Sequence, residues 1–128
     1  MSRLEERKEN FKKAYHLFQL ANNSYLNEPL NEINKLALTQ SFEIVFELGW
    51  KVIKDYLSEK GLDVYTPKDV IKTAFSVNIL PTAQIWIDML KDRNACSHEY
   101  NQDKINIIIE NISKIYYEEL TRFNKDLN

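Results

Sequence analysis

Helix-breaking residues stand at only a few positions in this chain, and their placement limits its fold. All three prolines and Gly61 lie between segments that have helical periodicity. Because proline and glycine disfavour the interior of an α-helix, the long stretches between these positions are free to form helices. The 128 residues contain no internal repeat and no low-complexity linker. We therefore expect a single domain over residues 1–128.

Apolar residues in each stretch recur at spacings of three, four and seven residues, which places them on one face of a helix. This periodicity predicts five helices, over 3–26, 32–59, 67–77, 81 to about 93, and 102–125. The third is predicted to bury Val70, Ile71, Ala74 and Phe75, and the fifth to bury Ile105, Ile108, Ile109, Ile112, Ile115, Tyr116, Leu120 and Phe123. The sequence thus predicts an all-α fold, a four-helix bundle with one additional short helix.

Several residues mark where these helices begin and end. Ser2 and Thr66 are favoured N-cap residues, and Pro67 suits the first turn of the third helix. Gly61 suits the left-handed conformation that commonly follows a helix. Gly49 lies inside the second helix, where glycine costs about 1 kcal/mol relative to alanine. We therefore expect another element to approach the backbone closely at Gly49.

The charge composition excludes one broad class of function. Seventeen basic and nineteen acidic residues give a net charge of −2. A protein that binds nucleic acid generally, through a large positive field, is strongly basic. Any contact between this chain and RNA must therefore be local.

Cysteine and histidine are rare in the chain. Cys96 is the only cysteine, so an internal disulfide is impossible, and this predicts a reducing, cytoplasmic location. Cys96, His16 and His98 do not form a metal-ligand pattern, and we expect neither a metal nor a cofactor. The N-terminus lacks an apolar signal core, and no segment is apolar enough to span a membrane. We therefore expect no membrane association.

The stretch 92–101 is polar and separates two strongly apolar helical patterns. It contains Arg93, His98 and Tyr100: a fixed cation, a group that titrates near neutral pH and a phenol, which are the parts of a phosphate-handling site. On a straight helix Arg93 and His98 lie about 140° apart, so they converge only if the helix ends or bends between them. Asn94 competes with the helix backbone for hydrogen bonds, which favours an end here. The alternative is an ordinary helix C-terminus and polar loop, with Arg93 paired to a carboxylate.

Glu43 and Glu47 lie one turn apart on the second predicted helix. Paired carboxylates can perform acid–base chemistry. Glu47 also precedes Lys51 by four residues, which is the favourable order for a surface ion pair. We interpret the two glutamates as structural, or at most as carboxylates that orient Arg93.

The run Arg93-Asn94-Ala95-Cys96-Ser97-His98-Glu99-Tyr100 resembles the Arg-x4-6-His motif of HEPN domains, including the polar residue after the arginine. Residues 85–92, which precede it, and the second-helix runs 42–51 and 54–57 are similar to one branch of these domains. That branch is the nucleotidyltransferase substrate-binding protein family, the HepT-like partner of a minimal nucleotidyltransferase. The resemblance spans essentially the whole chain and agrees with the predicted bundle.

This resemblance implies an up-and-down four-helix bundle that forms a homodimer and pairs with a small nucleotidyltransferase encoded beside it. Many such pairs behave as toxin and antitoxin, the HEPN partner being a metal-independent endoribonuclease with two motifs facing each other across the dimer cleft. The resemblance implies His98 as general base or acid, Arg93 as the group that holds the phosphate, and Asn94 as a residue that orients either. It also implies that Tyr100 is a candidate for adenylylation (AMPylation), because some partners modify a tyrosine two residues after the histidine. A packing role for Tyr100 is equally open.

Two other functions stay open beside the ribonuclease. One is a non-catalytic subunit that docks a nucleotidyltransferase and presents a nucleotide or another substrate in the same cleft. The other is a plain helical interaction module, in which the motif is a structural helix end. A nucleotidyltransferase gene next to this one would favour the first two functions over the third.

Overall fold

The computed structural model describes residues 1–99 and 101–127. Its helices are α1 (Arg3–Asn27), α2 (Glu32–Glu59), α3 (Pro67–Ser76), α4 (Gln84–Cys96), α5 (Gln102–Asn111) and α6 (Tyr117–Asp126), and a π-helical segment, Ile112–Tyr116, joins α5 to α6. We call the continuous run from α5 to α6 the C-terminal rod. No strand occurs among the described residues.

Contacts between helices define an up-and-down arrangement. Arg7, near the start of α1, pairs with Asp55, near the end of α2, so these two helices are antiparallel. Trp86, near the start of α4, contacts Glu119, late in the C-terminal rod, so these two are antiparallel as well. The long elements are α1, α2, α4 and the rod, and α3 is the short addition. The predicted all-α four-helix bundle is confirmed.

Aromatic side chains fill the centre of the bundle. Trp86 is fully buried, and its ring centroid lies 6.0 Å from that of Phe46 and 5.0 Å from that of Phe123. Its indole N–H donates to Glu119 at 2.7 Å. Glu119 also accepts two hydrogen bonds from the guanidinium of Arg122, at 2.7 and 2.9 Å. Both oxygens of this buried carboxylate therefore have partners, as a charge placed beside an apolar core requires.

Most predicted helix ends are confirmed. The hydroxyls of Ser2 and Thr66 each accept the backbone N–H three residues further on, at 3.1 and 3.3 Å. Gly61 adopts a φ of 81°, the left-handed conformation expected after α2. Helix α4 begins at Gln84, later than predicted, because Thr82 first forms a turn of its own by accepting the Gln84 N–H at 3.3 Å.

Helix α4 also ends later than predicted. The sequence predicted an interruption near Arg93, whereas the helix continues to Cys96 and Arg93 lies inside it. Ala95 and Cys96 pack against the apolar core, and this packing outweighs the weak helix preference of Asn94. Beyond the helix, the N–H of His98 donates to the Ala95 carbonyl at 3.0 Å, which closes the last turn.

Two residues predicted to be buried are largely exposed. Phe75 and Ile115 each expose 48% of their surface. Phe75 lies about 100° around α3 from the buried Ala74, and this short helix buries only its narrow face of Val70, Ile71 and Ala74. Ile115 lies in the π-helical segment, where a turn holds more residues than in an α-helix. The α-helical period therefore fails to place Ile115 on the buried face.

Close packing at Gly49 generates a stability prediction. A Cβ at Gly49 would lie 3.2 Å from a ring atom of Phe11 and 3.4 Å from one of Trp86, so the expected close approach is present. The variant Gly49→Val overpacks this contact and should lower the free energy of unfolding by about 1–3 kcal/mol in urea denaturation. Asn10→Val, at an exposed position of α1, is the control. A Gly49→Val protein as stable as the Asn10→Val protein would contradict the packing.

Candidate active site

The last turn of α4 brings Arg93 against α2. Arg93 Nη2 donates to Glu47 Oε2 at 2.9 Å. The same oxygen accepts the indole N–H of Trp50 at 3.1 Å, and Glu47 Oε1 pairs with Lys51 Nζ at 3.3 Å. The side chains of Arg93 and Glu47 are 35% and 31% exposed, and a pair exposed to this extent contributes only about 0.2–1 kcal/mol to stability. Its main effect is therefore to fix the direction of the guanidinium.

The Arg93 side chain makes a further hydrogen bond besides that to Glu47. Its Nη1 donates to the side-chain oxygen of the exposed Asn94 at 3.2 Å. A guanidinium has five N–H groups, and the others make no hydrogen bond within residues 1–99 and 101–127. Oxygens of a phosphate or carboxylate are the acceptors that such a fork binds best. Arg93 is thus held on one side by Glu47 of α2, while part of its fork has no partner among the described residues.

His98 lies just beyond the end of α4 and is exposed. Its imidazole makes no hydrogen bond or ion pair with any residue that the structure describes. Because α4 ends at Cys96, the helix end that the motif requires does lie between Arg93 and His98. Tyr100, the predicted modification candidate, lies outside the described residues.

The site includes a pair that the sequence analysis did not connect. The phenol of Tyr116 donates to Asp92 Oδ2 at 2.5 Å. The ring of Tyr116 stacks on Phe42 with centroids 5.5 Å apart and planes inclined by 19°. Burial, followed by the hydrogen bond to Asp92, raises the pKa of Tyr116 far above its ordinary value, so the phenol remains a donor at neutral pH. The sequence identified Tyr116 only as a buried residue, because the pairing depends on the rotation of the π-helical segment.

Cys96 lies close to two carboxylates and behaves as a packing residue. Burial raises the pKa of its thiol to about 11, and the nearby negative charges of Glu43 and Asp92 contribute to this shift. A thiolate is the nucleophilic form of cysteine, so the raised pKa disfavours nucleophilic chemistry at Cys96. The charge of Glu43 therefore acts on the Cys96 thiol, whereas Glu47, one turn further along α2, contacts Arg93.

The described residues contain no group of three or more histidine, cysteine, aspartate or glutamate side chains placed to hold a metal ion. No helix in this part of the chain has the length and apolar character to cross a membrane. The groups that the site does provide are an exposed imidazole and a partly open guanidinium. These groups can transfer a proton and stabilise a developing negative charge.

Comparison with known proteins agrees with this fold. The profile of the family described as "Nucleotidyltransferase substrate binding protein like" matches residues 6–128, and the chain belongs to this family. A curated relative from Haemophilus influenzae, named "Probable ribonuclease HepT", is 30% identical over 70 residues, which are 51% of this chain and 48% of the relative. The chain thus matches about half the length of that relative. A crystal structure of a protein from Thermus thermophilus superposes with a TM-score of 0.68 at 27% identity, covering 96% of both chains.

The environment of Cys96 predicts its reactivity. With a pKa near 11, Cys96 should react with a disulfide reagent such as DTNB at pH 8 at least about 10-fold more slowly than an unperturbed cysteine of pKa about 8.5, because its smaller thiolate fraction outweighs the greater nucleophilicity of a more basic thiolate. The variant Glu43→Gln removes one of the negative charges that raise this pKa, so it should accelerate the reaction. Glu9→Gln, an exposed position on α1, is the control. An unchanged rate in Glu43→Gln would show that Glu43 does not act on Cys96.

Proposed function

We propose that this chain is the HEPN-type partner of a minimal nucleotidyltransferase in a two-gene toxin–antitoxin module, and that it is a metal-independent endoribonuclease. The observation that carries the proposal is the arrangement at the end of α4. Glu47 holds Arg93 there with part of its fork open, and His98 is exposed directly after the helix. Membership of the nucleotidyltransferase-associated family and the relative named as a ribonuclease support the same function.

Two copies of this pair of groups, one from each protomer of a dimer, suffice for cleavage of RNA through its own 2′-hydroxyl. His98 removes the proton from that hydroxyl, O2′ attacks the phosphorus, and the bond from phosphorus to O5′ breaks. A second histidine gives a proton to O5′, so the products are a 2′,3′-cyclic phosphate and a 5′-hydroxyl. Arg93 binds the non-bridging oxygens, on which negative charge develops, and Asn94 orients Arg93 through the hydrogen bond at 3.2 Å. An internal nucleophile of this kind does not require activation by a metal.

The scheme needs two histidines, and a homodimer supplies the second, since a two-fold axis presents the same surface twice. An exposed apolar face on α2 supports this assembly. Ile33, Ala37 and Ile44 are separated by four and seven residues, so they line one face of the helix, and Ile33 and Ile44 are 76% and 56% exposed. This face continues to Glu47, one turn beyond Ile44. A dimer formed through it places two Arg93 side chains near a common cleft.

The partner of this dimer is a minimal nucleotidyltransferase, in keeping with the name of the family. In the proposed module this partner adenylylates Tyr100. Because Tyr100 follows His98 by two residues, the added AMP places a negative phosphate and a bulky base beside the motif. The phosphate competes with RNA for Arg93 and the base fills the cleft, so the modification stops cleavage.

The family description also favours a second function. A protein described as binding the substrate of a nucleotidyltransferase can use the same open guanidinium to hold a nucleotide phosphate without cleaving RNA. In that function Arg93 is required for binding and His98 is dispensable for it. The two functions are thus distinguished by the need for His98.

Cleavage of RNA by purified protein tests the ribonuclease function. His98→Ala and Arg93→Ala should each lower the cleavage rate by at least about 100-fold, since general-base catalysis and stabilisation of developing charge are each worth about this much. His16→Ala removes the chain's other histidine, which is exposed on α1, and should cleave at the native rate. If His98→Ala cleaves as fast as His16→Ala, the proposal is wrong. Nucleotide binding that survives in His98→Ala and is lost in Arg93→Ala, without any RNA cleavage, would support the second function.

The proposed homodimer through the apolar face of α2 can be tested separately. The variant Ile44→Glu places a charge in the proposed interface, so it should convert the dimer to a monomer in light-scattering measurements and abolish RNA cleavage. Leu17→Glu introduces the same charge at a position on α1 that is 61% exposed, and this variant should remain dimeric and active. A dimeric Ile44→Glu protein would exclude this face as the interface.

A further inference from the structure

Two polar contacts hold the last turn of α4 from different directions. Arg93 is held by Glu47 on α2 at 2.9 Å, and the preceding residue, Asp92, is held by Tyr116 on the C-terminal rod at 2.5 Å. Consecutive residues on an α-helix point about 100° apart, so neither contact can replace the other. The contact with α2 constrains the turn from one side. The contact with the rod constrains it from another, in addition to the packing of Ala95 and Cys96 against the core.

The π-helical segment is what turns Tyr116 toward Asp92. In a π-helix each N–H bonds the carbonyl five residues back, so a turn holds more residues than the 3.6 of an α-helix. Across Ile112–Tyr116 this change leaves Ile115 48% exposed and Tyr116 only 3% exposed. Such segments are rare and occur frequently at functional sites. Here the segment lies against the turn that carries Arg93.

Tyr116 is itself a rigid support. Its ring stacks on the fully buried Phe42, with planes inclined by 19°, so the position of the phenol is set by the core of the bundle. Its hydroxyl makes the polar contact that fixes the Asp92 carboxylate. A series of contacts therefore connects the core to Asp92 through Phe42 and Tyr116. The residue after Asp92 is Arg93.

We infer that Tyr116 and Asp92 are positioning residues for Arg93: their hydrogen bond fixes the rotation of the last turn of α4 and thereby the direction in which the guanidinium meets a phosphate. Neither residue contacts the RNA in the proposed reaction. This inference deepens the proposed ribonuclease function and rests on it for its effect on catalysis. Its effect on the Arg93 side chain is independent of that function.

Tyr116→Phe, which removes only the phenolic oxygen, is the principal test. We expect kcat for RNA cleavage to fall about 10- to 100-fold, because a small displacement of a catalytic group lowers the rate by about this factor. KM should change little. Tyr15→Phe is a matched control. The phenol of Tyr15 also makes a partly buried hydrogen bond, at 2.6 Å to the hydroxyl of Thr121, and this bond does not involve α4. The two variants make the same chemical change in the same core, so a merely structural role predicts equal effects on kcat.

Substitutions at Asp92 provide a second test. Asp92→Asn retains an oxygen that can accept the Tyr116 hydroxyl, whereas Asp92→Ala does not. Cleavage by Asp92→Asn should therefore exceed that by Asp92→Ala, and in the Tyr116→Phe background the two should become equal. Equal cleavage by Asp92→Asn and Asp92→Ala in the native background would overturn the inference.

A measurement that does not depend on cleavage separates the inference from the proposed function. The side-chain N–H resonance of Arg93, assigned by its loss in Arg93→Lys, should shift or broaden in Tyr116→Phe and stay unchanged in Tyr15→Phe. If the native protein cleaves no RNA, the proposed function fails and this resonance alone decides the inference. A resonance that is unchanged in Tyr116→Phe overturns the inference, whether or not the native protein is active.

Discussion

The ion pair between Glu47 and Arg93 joins the helical scaffold of this protein to its candidate active site. It joins the middle of α2, the longest helix, to the last turn of α4 at 2.9 Å. Because the pair is partly exposed, it adds little to the stability of the fold. The pair matters because it sets the direction of the Arg93 guanidinium. A guanidinium held on one edge by a carboxylate presents its other edge to an anion in a fixed orientation. The pairing of Glu47 with Lys51 and Trp50 fixes the carboxylate in turn.

The surrounding bundle fixes the position of α4, the helix that carries Arg93. Trp86 at the start of α4 is anchored by its contacts with Phe46, Phe123 and Glu119. Asp92 near the end of α4 is anchored by Tyr116. A helix attached to the core at both ends cannot slide or rotate freely, so the residues that follow it leave the bundle from a defined point. His98 follows the helix at that point, exposed and therefore accessible to a substrate.

Sequence periodicity was sufficient for most of the fold, because long amphipathic helices separated by proline and glycine leave few alternatives. The bounds of α2 and the caps at Ser2 and Thr66 followed from local rules. Periodicity failed where tertiary packing changed the local geometry. Packing of Ala95 and Cys96 extended α4, and the π-helical segment, which no propensity rule specifies, exposed Ile115.

The candidate site could be predicted only in part from the sequence. Arg93 and His98 could be singled out from their residue types, and the resemblance to HEPN domains implied their motif and the role of Asn94. Glu47 could be proposed as a partner of Arg93. The structure brings Glu47, Arg93 and Asn94 into contact, and the charge of Glu43 acts on Cys96. The bond between Tyr116 and Asp92 had no sequence signal, because it joins residues 24 positions apart and depends on the rotation of the π-helical segment.

The most direct test of the account is to induce the chain alone in a bacterial host and to map the ends of the cellular RNA. The account predicts growth arrest together with new RNA fragments that carry 2′,3′-cyclic phosphate and 5′-hydroxyl ends, and neither effect from an Arg93→Ala/His98→Ala double variant expressed to the same level. Normal growth and intact RNA with the well-folded native chain would contradict it. The same fragments from the double variant would also contradict it, because cleavage would then not depend on this site.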